Sequence, residues 1–224
     1  TYAYVAYGDG LMIVDPDGAE GPEVVSTVPL NDTTRVVVNG NWAYVSKNGT
    51  EILPVDVSDP ENPVAYPTVA SGNVSYALYI DDGYLYNSTF DHVRTLDLID
   101  PTAPSEVANF CAAQAHDAVT VGNLLYVAIW NDRRAYVFDN TDPTAPVQLG
   151  SWRSNSGYRG SAVVWFHDYL YFSTQSWGVE VLDVTDPENI SEVGQMSTRG
   201  PDGMDTDGSF IYAAENEHGL RIIL

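Results

Sequence analysis

The sequence is built from one unit that recurs about every 41 residues, and this period limits the folds open to the chain. A tyrosine in a strand-like segment returns at intervals of 40 to 45 residues, at Tyr4, Tyr44, Tyr86, Tyr126, Tyr171 and Tyr212. An aspartate that closes the next apolar segment keeps nearly the same interval, at Asp15, Asp56, Asp97, Asp139 and Asp183. Because two independent markers share one period, the 224 residues are expected to form a single repeat domain.

Each unit carries the signals of four short antiparallel strands. Asn39-Gly40 is a hairpin signal between two apolar runs. An aspartate followed by proline, the usual start of a type I turn, recurs at Asp59-Pro60, Asp100-Pro101, Asp142-Pro143 and Asp186-Pro187. No window shows a sustained helical period, and many strands are apolar on both faces. Four strands in about 41 residues is typical of a propeller blade, so we predict an all-β fold, a β-propeller of four-stranded antiparallel blades.

Two of the predicted units have fewer than four strands. The predicted units cover residues 2–40, 41–82, 83–122, 123–167, 168–208 and, in part, 209–224. About 22 strands can be counted, whereas six blades of four strands need 24. The first unit lacks its innermost strand and the last its outermost strand, which predicts six blades, two of them incomplete, or part of a larger propeller. No signal peptide opens the sequence, so a mature or trimmed product is expected.

Several stretches resemble a known repeat family. Residues 10–16, 179–187 and 219–223, together with the frame 123–128, resemble the LVIVD repeat of bacterial and archaeal surface-exposed propellers. The resemblance spans essentially the whole chain and implies a propeller at a cell surface. It brings no catalytic motif, and propellers serve many unrelated functions. Pro54 and Arg94 depart from it by interrupting apolar strands.

The net charge is strongly negative and limits the classes of molecule that the protein can bind. Thirty-one acidic residues face nine basic ones, a net charge of −22. Such a surface repels nucleic acid and anionic lipid, and no apolar run is long enough to insert into a membrane. A source organism exposed to high salt and a generic acidic protein surface would each explain the excess of acidic residues. The single cysteine, Cys111, excludes an internal disulfide and is interpreted as a small buried hydrophobe rather than a reactive thiol.

Three kinds of candidate site follow from local motifs. Five glycosylation sequons, all predicted in or beside loops, indicate an extracellular protein unless the host leaves them unmodified: Asn31, Asn48, Asn73, Asn87 and Asn189. Two acidic loops could hold calcium or be solvated turns, one with Asp15, Asp17 and Glu20, the other with Asp202, Asp205 and Asp207. Four histidines lack metal-ligand spacing, and tryptophans near strand ends could stack on sugars or pack in the core. Apart from calcium, no cofactor is predicted.

The incomplete units predict an interface. Their strands leave hydrogen-bonding groups open to a further strand, at Tyr2, Tyr4, Ile211, Tyr212, Leu220 and Ile222. The leading hypothesis is therefore an extracellular, non-enzymatic propeller that acts as a structural or adhesive module of a cell surface or filament. Its partners would be copies of itself, in a homopolymer, or cell-surface components. A propeller hydrolase or lyase with a metal in its channel, and a carbohydrate-binding module, are the alternatives.

Overall fold

A computed structural model describes residues 1–47, 49–111, 113–157, 159–175 and 177–223. These residues form 23 strands in six antiparallel sheets and one short 3-10 turn, Asn216–His218. None of the described helices is long and apolar enough to span a membrane. The chain divides into two compact units, Thr1–Asn109 and Phe110–Leu224.

The first unit holds three sheets. Sheet 1 has three strands, β1 (Ala3–Tyr7), β2 (Gly10–Asp15) and β3 (Glu23–Pro29). Sheet 2 contains β4 (Thr33–Asn39), β5 (Trp42–Lys47), β6 (Glu51–Asp56), β7 (Val64–Ala65) and β8 (Val69–Ala70). Sheet 3 contains β9 (Ser75–Asp81), β10 (Tyr84–Thr89), β11 (Val93–Asp97) and β12 (Ser105–Phe110), whose last residue opens the second unit.

The second unit holds the other three sheets. Sheet 4 contains β13 (Ala115–Val121), β14 (Leu124–Ile129), β15 (Arg134–Asp139) and β16 (Val147–Arg153). Sheet 5 contains β17 (Gly160–Phe166), β18 (Tyr169–Thr174), β19 (Gly178–Asp183) and β20 (Ser191–Met196). Sheet 6 has three strands, β21 (Gly203–Thr206), β22 (Ile211–Ala214) and β23 (Leu220–Ile223). The strands thus follow the predicted order, with three-stranded sheets at both ends.

One proline explains why the structure has more strands than the sequence predicted. Strand β6 pairs with β7 through Val55 and Asp56 and with β8 through Glu51 and Ile52. Pro54 lies between them; its carbonyl accepts a hydrogen bond from the Tyr66 N–H at 2.9 Å, so this residue faces the outer strand. Because proline has no N–H to donate on that side, the ladder breaks there and the outer strand splits in two.

The recurring aspartates act as turn caps. The carboxylate that closes the third strand of a blade accepts the N–H two residues later, as Asp139 does from Thr141 at 2.9 Å. The aspartate before each proline does the same, as Asp142 does from Thr144 at 2.9 Å. These hydrogen bonds lower the pKa of both carboxyls. The same pairs close the turns after β6, β11 and β19.

Each unit buries its own apolar core between neighbouring sheets. In the first unit Leu11 and Ile13 pack with Val45 and Val55. In the second unit a cluster includes Tyr126, Val137, Leu170, Phe172 and Leu182. The repeat tyrosine is part of this packing: Tyr44, Tyr86 and Tyr126 are almost fully buried. The period therefore reports a core position of the blade.

Candidate functional site

The two acidic loops use much of their oxygen for local hydrogen bonds. One oxygen of Asp207 accepts the N–H groups of Ser209 and Phe210, and the other accepts the Tyr212 hydroxyl at 2.9 Å, which lowers the pKa of the carboxyl. Asp15 accepts the N–H of Asp17 at 3.0 Å. In the described part of the chain, no group of three or more His, Cys, Asp or Glu is placed to hold a metal. Calcium binding at Asp15, Asp17 and Glu20, or at Asp202, Asp205 and Asp207, stays a prediction.

The sequons differ in accessibility. Asn31 and Asn189 are exposed, Asn73 is half-buried, and Asn48 lies outside the described residues. Asn87 is 0% exposed in the middle of β10, so its predicted place in or beside an accessible loop is wrong. Its neighbours β9 and β11 cover it from both sides, which a three-residue motif does not reveal. Glycosylation of the other asparagines stays a prediction.

Sheet 3 buries an unusual polar pair. Asn87 faces Arg94 across β10 and β11, at a position where the other sheets place Val45 opposite Leu53 and Val127 opposite Tyr136. Within the described residues, both amide atoms of Asn87 and the Nε atom of Arg94 lack a hydrogen-bond partner. The Arg94 guanidinium pairs with Glu106 and lies against Gly72. This pairing was not predicted from the sequence, although an amide at a repeat position that carries valine in sheets 2 and 4 was a usable signal.

Sheet 5 buries a carboxyl at the corresponding position. Glu180 faces Phe172 and is 2% exposed. Its Oε1 atom accepts a hydrogen bond from the Ser154 hydroxyl at 2.8 Å, while its Oε2 atom has no partner among the described residues. Burial, with the nearby Glu192 charge, raises the pKa of Glu180 to about 7 against the opposing hydrogen bond from Ser154. Glu180 is not among the candidate site residues predicted from the sequence.

The histidines occupy separate local environments. His116, near the start of β13, stacks on Trp130 with ring centres 4.1 Å apart, and the Arg159 guanidinium lies 5.3 Å from the same indole. His92 lies beside Asp91, and His218 contacts Arg199. Cys111 is half-buried rather than fully buried as predicted, and burial raises the pKa of its thiol to about 12, which opposes thiolate formation.

The edge strands β1 and β23 of the two short sheets expose apolar side chains. Within the described residues, β23 pairs only with β22 and β1 only with β2. On β23, Leu220 and Ile222 are 64% and 58% exposed. Near β1, Tyr2 is exposed, whereas Tyr4 is half-buried against the core.

Two of the predicted interface residues are used inside the fold. Ile211 is 0% exposed and packs against Val164 and Phe166, so its assignment to an interface is wrong. It lies in β22, between β21 and β23, where its side chain points into the core. Tyr212 is half-buried and donates its hydroxyl hydrogen to Asp207. The predicted interface is therefore reduced to Tyr2, Leu220 and Ile222, with Tyr4 at its border.

Comparison with known proteins confirms the fold. Residues 1–15 and 31–70 match the LVIVD repeat model. A Bacteroides uniformis protein described as a candidate 6-phosphogluconolactonase aligns with a TM-score of 0.82 and 15% identity, over 99% of this chain and 76% of its own. A protein from Lactobacillus plantarum gives a TM-score of 0.80 and 18% identity, over 100% and 80%. The fold is an all-β six-bladed propeller with mostly four-stranded antiparallel blades, as predicted.

A further comparison also supports the fold and nothing more. The periplasmic gluconolactonase of Pseudomonas aeruginosa aligns with a TM-score of 0.73 and 13% identity, over 96% of this chain and 77% of its own. At such identities a shared propeller carries no shared activity. No curated protein matches the sequence.

Proposed function

Because the chain is an LVIVD-repeat β-propeller, we propose that it is a non-enzymatic structural or adhesive module of a cell surface or extracellular filament. The observation that carries this proposal is the edge of β23, which exposes Leu220 and Ile222 and has one strand partner among the described residues. Exposed sequons at Asn31 and Asn189 and the net charge of −22 support an extracellular place. A highly charged acidic surface keeps such a protein soluble and leaves specific contacts to the few apolar edges.

Strand β23 has the properties of a pairing edge. Its sequence, Leu-Arg-Ile-Ile, contains neither lysine nor proline, the residues that commonly protect an edge strand. Its one charged side chain, Arg221, donates to Glu215 at 2.6 Å, so this charge is partly neutralised. The exposed Leu220 and Ile222 would lose apolar surface to water if another strand paired here. A strand from a second copy would satisfy the open N–H and C=O groups as well.

The first sheet offers a complementary edge. Val5 on β1 and Tyr2 just before it are 43% and 38% exposed, and β1 has one partner among the described strands. We propose that β23 of one copy pairs with β1 of the next by β-augmentation. Such a contact joins two different surfaces, so it is heterologous and can repeat without closing. Repetition would build a filament.

Assembly of the purified chain tests this proposal. Light scattering during gel filtration and negative-stain electron microscopy should show oligomers that grow with protein concentration. Ile222→Lys and Val5→Lys should each reduce assembly strongly, because a buried ammonium at a pairing edge is costly. Ile99→Lys is the matched control, since Ile99 is 89% exposed but lies in a turn. A chain that stays monomeric at every concentration would contradict the filament.

The second candidate function is that of an enzyme. Two aligned structures are named for lactone hydrolysis. In addition, the side chains of His116, Trp130 and Arg159 lie together in sheet 4 and at the entry to sheet 5. The assay is proton release from a sugar lactone, with His116→Ala as the variant and a chelator to detect a metal requirement. Hydrolysis that exceeds the buffer rate and falls in His116→Ala would overturn the non-enzymatic proposal. We expect no difference from buffer.

A further inference from the structure

A notch between sheets 4 and 5 has the form of a small-ligand site. It has a volume of about 310 Å³. Val121, Leu124 and Tyr126 line it from sheet 4, and Trp165, Asp168 and Val184 line it from sheet 5 and its flanking turns. The volume lies at the low end of the roughly 300–1,000 Å³ typical of small-molecule pockets, with apolar walls and few polar groups. Tyr126 and Val184 also belong to the core, whereas Trp165 and Asp168 are exposed; the proposed assembly does not involve this notch.

Trp165 gives the notch an aromatic wall. Its ring is 36% exposed, whereas Trp152 is buried against Phe172. The corresponding inner-strand positions of the preceding sheets carry Val38, Ile80 and Thr120, each in the same register with the second strand. The other blades therefore pack with a smaller side chain at this position, so the core does not require a side chain as large as the Trp165 indole.

The turn that holds Asp168 keeps a strained backbone. His167 and Asp168 both have positive φ, at 46° and 68°. The corresponding hairpins of the other sheets place a glycine with positive φ in the turn, at Gly40, Gly83, Gly122 and Gly208. Glycine adopts this region without the steric penalty of a β-carbon. The β9–β10 turn also holds a non-glycine residue at positive φ, Asp82 at 44°, but its second central residue is Gly83, whereas the turn after β17 keeps the side chain of Asp168 there. A side chain kept at this position motivates a functional role for Asp168.

Tyr126 adds a phenol to the lining of the notch. The hydroxyl of Tyr44 donates to the Pro101 carbonyl at 3.4 Å, across to the next blade's turn. Tyr126 occupies the same repeat position, yet within the described part of the chain its hydroxyl makes no hydrogen bond. Tyr126 lines the notch. The hydroxyl can therefore form a hydrogen bond with a bound molecule without breaking a hydrogen bond of the fold.

We propose that this notch binds the terminal ring of a neutral sugar, with Trp165 stacking on its C–H face and Asp168 accepting hydrogen bonds from its hydroxyl groups. A pyranose has an apolar face and a polar edge, which match the indole with Val121 and Val184 and the carboxylate of Asp168, respectively. The carboxylate and the net charge of −22 repel anionic sugars. The small volume matches one terminal residue better than an extended polymer.

The test is a titration of the full chain with neutral monosaccharides (glucose, galactose, mannose and N-acetylglucosamine), followed by tryptophan fluorescence and by saturation-transfer NMR of the sugar. We expect at least one of them to bind with a millimolar dissociation constant, and glucuronate to bind at least tenfold more weakly. Trp165→Ala should abolish the NMR signal, and Trp165→Phe should retain part of it. Trp177→Ala, which removes another exposed tryptophan, should bind like the wild type.

Asp168→Gly separates binding from folding. Glycine relieves the positive φ, so this variant should melt at a higher temperature while its affinity for the sugar falls at least tenfold. Asp168→Asn, which keeps a side chain of the same size, should weaken binding to a smaller extent. Failure of all four sugars to bind the wild type would overturn the proposal. Unchanged affinity in both Trp165→Ala and Asp168→Gly would also overturn it.

Discussion

The buried carboxyl of Glu180 should make the protein less stable as the pH rises. Its pKa is about 7 in the folded chain, against 4.5 for an unperturbed glutamate. The folded state therefore binds more protons than the unfolded state between these two values, so stability falls as the pH rises through this window. At roughly 1.36 kcal/mol per pKa unit, the full effect is about 3 kcal/mol between pH 4 and pH 8.

Glu180→Gln tests this coupling, because glutamine has a similar shape and stays neutral. Relative to the protonated carboxyl, glutamine changes the hydrogen bonding to Ser154 and at the Oε2 position by an amount that does not depend on pH. The useful quantity is therefore the change with pH in the stability difference between variant and wild type. We expect the variant to gain about 2 kcal/mol relative to wild type between pH 5 and pH 8, a relative rise in Tm of about 4–8 °C.

Urea unfolding at pH 5, 6, 7 and 8, followed by far-ultraviolet circular dichroism, measures the difference. The other carboxyls also titrate, but their contribution is common to both proteins and cancels. Glu188→Gln is the control, since Glu188 is an exposed residue in the following turn and its difference should stay constant. A Glu180→Gln difference that is the same at pH 5 and pH 8 would refute the reasoning.

Three further outcomes are expected. Asn87→Val should stabilise the protein by about 1 kcal/mol in urea unfolding, because it removes two buried amide atoms without partners, whereas the reverse change Val127→Asn should cost about 2 kcal/mol. The Tm should rise between dilute buffer and molar sodium chloride, because salt screens the repulsion of the −22 charge, and a flat or falling Tm would contradict this. Gly178→Ala should destabilise the protein by about 3 kcal/mol or more in the same urea assay, because a β-carbon would clash with the Met196 carbonyl oxygen and φ is 127°. Gly203→Ala is the control and should be nearly neutral, because there is open space at its β-carbon.

The repeat, the strand order and the turn caps could be predicted because their causes are local. Asp142-Pro143 presets a turn from two adjacent residues, and Asn39-Gly40 supplies a glycine with positive φ between two apolar runs. The split of the outer strand at Pro54 was not predicted, because it depends on which neighbour that residue faces. A proline facing β5 instead would have interrupted a different ladder.

The candidate sites were harder to predict because they arise between strands. Asn87 carries a sequon, yet its burial depends on the two strands that flank it. Glu180 meets Ser154, which is 26 residues away and directly follows the last strand of sheet 4. The notch at Trp165 needs Tyr126 from the preceding blade, and the positive φ of Asp168 is a backbone conformation that its residue type does not reveal. Cross-blade contacts of this kind leave no fixed spacing in the sequence.

The capping aspartates tie the acidity of this protein to its ancestry. Each complete blade keeps two carboxylates that hold its turn, so every duplication of the repeat adds about two negative charges before any surface residue changes. A propeller that grew by copying this unit becomes more acidic in proportion to its length. Selection for a neutral surface would have to work through lysine and arginine elsewhere, and this chain has nine such residues. Its charge is thus partly an inherited property of the repeat and a poor guide, by itself, to the salinity of its habitat.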